Sequence, residues 1–246
     1  MDKLLYVAMS GAKETLNAQA ANNHNLANAS TTGFKADLTA FQSRAVAGAG
    51  YASRVYATDA TVGWDSTPGA QVTTGNPLDL AVQGTGFLAV QDSNGNEAYT
   101  RAGDLHVDPS GQLMTATGHA VMGDSGPLSV PPATSISIAS DGTVSIVPLG
   151  QSPQTMATIG RIKLVNPPGG SVTQGSDGLF RTTDGSPAAA DAGTTVASGV
   201  LESSNVNLAS SMVHMIELSR RFDLQVKALH TAEEDAASSA KLLQSS

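Results

Sequence analysis

Three sets of residues could do chemistry. Gly123-Asp-Ser-Gly-Pro127 sets Ser125 in a small-residue loop of the kind that presents a serine nucleophile, which needs a histidine base and an acid to activate it. The histidines before it are His24, in an Asn-rich helical stretch, His106 and His119, and none sits in a matching loop. A turn between strands accounts for the same residues, so a serine hydrolase using Ser125 stands only as an alternative. Gly84-Thr-Gly86-Phe-Leu-Ala89 spells G-x-G-x-x-A, a dinucleotide fingerprint whose chemistry requires a helix to open directly behind it and face a pyrophosphate. Phe87 to Val90 reads instead as a strand, and the glycines as a tight turn. The five histidines, His214 and His230 being the others, show no H-x-H or H-E-x-x-H spacing, and cysteine is absent. No catalytic residue, metal, cofactor or small-molecule substrate is expected.

Composition narrows the classes further. Hydrophobic residues make up 40% of the 246, but aromatics only 4%, which points to a core of Val, Leu, Ile and Ala in thin β layers. The net charge of −8 is unevenly spread: between Ala36 and Val200 there are thirteen acids and six bases, whereas the two ends together hold eight acids and seven bases. Near-neutral ends can stack beside copies of themselves with little repulsion, while an acidic middle stays solvated. There is no basic stripe for nucleic acid. No stretch approaches the ~20 apolar residues of a membrane span, so no direct membrane insertion is expected. The start lacks a cleavable signal pattern, so export would have to read something else.

The elements that would position any function are two terminal helices around a β-rich centre. Leu5, Met9, Ala12, Leu16, Gln19, Asn23 and Leu26 recur at steps of four and three, a stripe that reads as a coiled-coil seam in need of a partner, although a surface helix packed on its own domain gives the same pattern. Asn22, Asn23, Asn25 and Asn28 crowd the second half, and buried amides of this kind fix register more than they add stability. The helix should stop near Ala29, where Ser30, Thr31 and Thr32 offer competing hydrogen bonds and Gly33 can take the left-handed conformation. An Asn at position 33 would share that conformation; a Val would not. Leu38 and Phe41 keep enough periodicity for residues 36–43 to extend the helix by two turns. Residues 44–75 read as an Ala/Gly/Ser/Thr-rich connector with an extended patch at Arg54 to Thr58.

From residue 76 to 199 short strands alternate with Gly, Pro and Asp turns, among them Asn94-Gly95, Ser110-Gly111, Asp141-Gly142 and Asp184-Gly185, the pattern of an all-β unit. Residues 200–246 hold the second helix, with Asn207 as the expected N-cap. Its stripe of Met212, Met215, Ser219, Phe222, Val226, Leu229, Ala236, Ala240 and Leu243 supplies the partner. The predicted class is α+β, mainly β: a central all-β domain, with residues 1–43 and 205–246 pairing as a coiled coil.

Several of these stretches together resemble a known family. Asn25-Leu-Ala-Asn28-Ala-Ser-Thr-Thr-Gly33-Phe34-Lys35 looks like the N-terminal signature of bacterial flagellar rod and hook proteins. Thr74-Gly-Asn-Pro-Leu-Asp79, Gln83-Gly-Thr-Gly-Phe87 and Tyr99-Thr-Arg-Ala-Gly103 are similar to its central segments, and Leu201-Glu-Ser-Ser-Asn-Val-Asn207 with Arg221-Phe222 to its C-terminal one. Within the family, Met1 to Ala12 and Leu164-Val-Asn-Pro-Pro168 look most like members of the proximal rod, with the distal rod as the competing assignment. The resemblance implies an axial, non-catalytic subunit of the basal body, exported through the flagellar export apparatus. It implies assembly with copies of itself and with other rod subunits. Terminal helices would then form the inner layer of a tube around the export channel. Leu5, Met9, Leu16, Leu26, Met215, Phe222, Val226 and Leu229 are expected to pack, Asn22, Asn23, Asn25 and Asn28 to set register, and Gly33, Phe34, Asn205 and Asn207 to complete the interface.

Overall fold

Alanine-rich sequence favours helix because Ala gives up no side-chain entropy there, and the computed structural model, which describes residues 3–45, 55–152 and 155–244, opens with α1, Lys3–Ala27. The chain closes with α2, Leu208–Gln244. Between them the structure is mainly β. Two compact units form: one from Met1–Ala29, Asp37–Gly63 and Val206–Ser246, the other from Ser30–Ala36 and Trp64–Asn205.

In the helical unit α1 packs on α2. The pairing is antiparallel: the Asn22 side-chain amide donates to the Ser211 carbonyl at 2.9 Å, and Gly11 lies against the Gln225 side chain. Among the described side chains of α1 the buried positions are Ala8, Gly11, Ala12, Thr15, Ala18 and Asn22, which lie along one face of the helix. This is not the stripe expected from the large residues. Met9 and Leu16 are about half exposed, Asn23 is exposed, and among the described side chains of that stripe only Ala12 is buried. Small residues bring the helices close, and α2 fills the gap with fully buried Leu218 and half-buried Met215, Phe222 and Leu229. The side chains of Leu5, Ala236, Ala240 and Leu243 lie outside the described residues.

Residues 37–43 are not helical. Asp37–Ala45 is a strand paired with Val55–Trp64, so the expected two-turn extension is replaced by β structure. The turn that ends at Gly33 breaks the helical run, and the Asn25 side chain holds the start of the strand by bonding both Asp37 N and Asp37 O, at 2.8 and 2.9 Å. Residues 55–58 open the second strand, and Arg54 lies outside the described residues.

The β unit is built from antiparallel ladders. A nine-stranded sheet includes Phe87–Gln91 at its centre, flanked by Glu97–Thr100 and Ala120–Gly123. A three-stranded sheet joins Ala133–Ile138, Thr143–Pro148 and Ala157–Arg161. One core cluster draws Leu88, Leu113 and Val121 from the first sheet and Ile138, Val144 and Ile146 from the second. The other face of Phe87–Gln91 packs Phe87 and Ala89 with Tyr99, Val165 and Phe180, and Trp64 closes edge-on over Phe180 with ring centroids 4.9 Å apart. Two short ladders finish the unit: Thr195–Ser198 on Leu80–Gln83, and Val200–Glu202 on Gln71–Thr73. The four Asn-Gly, Ser-Gly and Asp-Gly turns expected from sequence all place their glycine at positive φ.

Candidate functional site

The densest polar chemistry sits inside the β unit, where three charged side chains from distant parts of the chain meet. Lys35 Nζ lies 2.6 Å from Glu202 Oε1, and Arg101 Nε lies 2.8 Å from Glu202 Oε2. All three are almost fully buried, at 1–3% exposure. Buried charges persist only when paired and hydrogen-bonded, and here the pairing is extensive. Lys35 also donates to Thr67 O at 2.7 Å, and the Gly69 amide donates to Glu202 Oε1 at 2.9 Å. The Arg101 guanidinium donates to the carbonyls of Val82, Gly84 and Gly86. The Gly84-Thr-Gly86 turn that resembled a phosphate cradle thus points carbonyls, not amides, at its charged group, and the group is the chain's own arginine.

Electrostatics follow from burial and pairing. Burial alone would push the Glu202 carboxyl up, but the Lys35 hydrogen bond, the Arg101 charge and the Gly69 amide outweigh it and hold the group below the usual carboxylate range. Burial pulls the Lys35 ammonium below its ordinary value, and the neighbouring Arg101 adds to that, so the Glu202 bond only partly compensates.

The segment around Lys35 is fastened at every residue from 33 to 36. Gly33 N donates to Glu202 O at 2.8 Å, Phe34 is buried, and Ala36 N donates to the Asn205 side chain at 2.8 Å. Asn205 also donates to the carbonyls of Asp65 and Thr67. Gly33 has φ of 68°, as expected, but a Cβ there would lie 2.3–2.4 Å from the backbone of Arg101 and Ala102. The expectation that Asn would substitute for Gly33 therefore fails: the backbone dihedral suits Asn, the space admits no side chain at all. Gly103 is constrained in the same way by the carbonyl of Leu80, 1.8 Å from a Cβ built there.

The remaining candidate residues divide by unit. Gly33, Phe34 and Asn205 serve inside the β unit as just described. Asn22 bonds across the helix pair, Asn25 clamps Asp37, Asn28, just past the end of α1, donates to His24 O in its last turn, and Asn207 caps α2 by accepting from Ser210 N at 3.0 Å. Leu26, Met215, Phe222, Val226 and Leu229 are half-buried. On α1, Tyr6, Met9 and Leu16 are exposed; on α2, Leu208, Met212, Val213, Ile216 and Leu224 are exposed. Sequence reasoning missed the cluster of Lys35, Arg101 and Glu202, although each lies within a stretch that carried the family resemblance. Ser125 lies in the tight turn between Ala120–Gly123 and Gly126–Pro127, which pair as a hairpin. Among the described residues no group of three His, Asp or Glu could hold a metal ion, and no helix is long and apolar enough to cross a membrane.

Comparison with known proteins gives these segments a common setting. Residues 5–35 match the flagella basal body rod protein family, residues 81–146 the flagellar hook protein FlgE/F/G D1 domain, and residues 197–242 the flagellar basal body rod FlgEFG protein C-terminal family. The chain is 45% identical to the flagellar basal-body rod protein FlgF of Escherichia coli, over 99% of both chains, and equally to that of Salmonella typhimurium. It is 33% identical to the flagellar basal-body rod protein FlgG of Bacillus subtilis, over 95% of this chain and 96% of the relative. Full-length identity at this level, with all three signature segments meeting in the folded molecule, shows that the chain belongs to the flagellar basal-body rod protein family as a FlgF-like structural protein, not an enzyme.

Proposed function

We propose that the chain is an axial subunit of the proximal part of the flagellar rod, and that it polymerises with copies of itself and with other rod subunits through its terminal helices. The observation that carries this reading is the inverted use of apolar side chains in the helical unit. Its internal seam takes Ala, Gly and Thr from α1, while Met9, Leu16, Ile216 and Leu224 face outward. Large apolar side chains gathered on an exposed face mark a surface that another protein covers. The β unit, by contrast, keeps its large apolar residues in its own core.

In the polymer the helix pairs would tighten into coiled-coil packing and form the inner layer around the export channel, with head-to-tail contacts generating an open tube. Torque would pass along the shaft through these subunit contacts. The subunit would reach the periplasmic rod through the flagellar export apparatus, without inserting in the membrane. Identity of 45% to FlgF, against 33% to a FlgG, supports the proximal over the distal position. Deleting the gene and imaging basal bodies by electron microscopy tests the proposal: rods that stop short are expected, and complete rods would contradict it.

A further inference from the structure

The buried ion cluster joins two segments that are 167 residues apart in sequence, one leading out of α1 and one leading into α2. Gly33 and Glu202 are tied by a backbone hydrogen bond, Asn22 and Ser211 by a side-chain one, and Gly11 lies against Gln225. Along the chain Asn22 precedes Gly33, and Ser211 follows Glu202, by about ten residues each, so the tie inside the β unit holds the two segments at nearly matched chain distances from the helix contact. We propose that Lys35, Glu202 and Arg101, together with Gly33, are positioning residues for the helix pair: they tie the two chain segments together inside the β unit and so set the pairing and register of α1 on α2.

The physical argument is loop closure. With the 30–36 segment undocked and the rest of the β unit folded, Asn205 still bonds Asp65, so bringing Asn22 to Ser211 closes a loop of about 50 residues. With Gly33 fastened to Glu202, the loop that remains is about 20 residues, and closure probability rises roughly 4-fold because it falls as about the 3/2 power of loop length. A factor of that size favours the native pairing and its register over pairings that the untied segments could otherwise sample. The cluster suits the task because its parts are separately satisfied. Arg101 keeps three carbonyl acceptors and Glu202 keeps the Gly69 amide even when Lys35 is withdrawn. The 30–36 segment can therefore dock on a site whose other members are already paired. The inference concerns the single chain and does not rest on the assembly reading.

Hydrogen exchange on the purified full chain tests it, with two variants. Lys35→Met removes the ammonium while leaving the Arg101–Glu202 pair intact. Gly33→Ala forces the segment outward, because its Cβ would meet the Arg101 backbone at 2.3 Å. The expected result in each is loss of protection at residues 33–36, a fall of up to about 4-fold in protection of residues 8–22 and 211–232, and unchanged protection in the strands Phe87–Gln91 and Glu97–Thr100. Helices that keep full protection while the 33–36 segment has opened would overturn the proposal. So would parallel loss in the strands, which would make the segment part of the β core, or a segment that stays protected in both variants.

Discussion

The two units of this protein use apolar residues in opposite ways. In the β unit, Leu88, Leu113, Val121, Val144, Ile162 and Leu164 are essentially inaccessible, and large side chains interlock across two sheets. In the helical unit the inner seam of α1 is made of small side chains, and several of the larger ones face water. A domain that must stand alone spends its large residues on its own core, because burial stabilises by about 25 cal/mol per Å² of apolar surface. An element that neighbours cover on assembly, as proposed for the helix pair, keeps them outside. The comparison predicts a β unit that is stable by itself and a helix pair of lower stability.

The largest expected effect is at the ion cluster. Glu202→Ala would leave Lys35 and Arg101 buried without their carboxylate, costing about 3–5 kcal/mol. Urea denaturation followed by Trp64 fluorescence, a probe that sits in the aromatic cluster of the β unit, should show the midpoint fall sharply. A shift within error would mean that the cluster is not a structural centre. Next comes a matched pair of truncations. Leu88 and Leu218 are both 0% exposed, one in each unit. Leu88→Ala should destabilise the β unit by about 2–5 kcal/mol. Leu218→Ala should release the helices while leaving Trp64 fluorescence unfolding unchanged. Equal loss of β-unit stability from both would erase the distinction between the units.

Local features were the ones legible in the sequence. The positive-φ turn glycines, the Asn207 cap and the end of α1 before Gly33 depend on a few neighbouring residues, and those neighbours were visible. The choice of seam was not: Met9 and Leu16 recur at helical spacing as well as Ala8, Ala12 and Ala18 do, and hydrophobicity alone favours the larger set. Only contact with α2 shows that the small set faces inward. The strand Val200–Glu202 escaped because its partner, Gln71–Thr73, lies far away in sequence, and the extension through residue 43 failed because pairing with Val55–Trp64 outweighed a weak helical period. The cluster of Lys35, Arg101 and Glu202 was illegible for the same reason. Each residue looks like an ordinary surface charge until residues 101 and 167 positions apart are brought together.

Smaller effects concern pH. Glu202 is held below its ordinary value, by Lys35 and Arg101 against the opposing effect of burial, and Asp92 and Asp177 are held low chiefly by the Arg181 guanidinium. Because their folded values are depressed, the stability these groups contribute is present above the ordinary carboxylate range. It is lost as pH falls through the folded values. Thermal unfolding of the β unit should therefore weaken steadily below about pH 4; a flat profile from pH 5 to 2 would contradict this. Asp104 runs the other way. Burial first, then the Asp79 charge, raise its value, and its Oδ1 is buried without a hydrogen-bond partner. Its ionised form is a net cost at neutral pH, so Asp104→Asn should stabilise the β unit by about 1 kcal/mol at pH 7 and by less as the pH approaches 4. Destabilisation at pH 7 would show that the carboxylate has a favourable partner.

The contrast between a self-contained β unit and outward-facing helices is tested most directly by charging the exposed helix faces. Met9 and Ile216 are 52% and 51% exposed, so Met9→Asp and Ile216→Asp should leave the melting of the isolated chain unchanged within about 0.5 kcal/mol. In cells, the same variants should be made at normal levels yet give non-motile bacteria whose rods, seen by electron microscopy, stop short. Full-length rods and normal swimming in both variants would contradict the proposal that these faces are covered in the assembled rod.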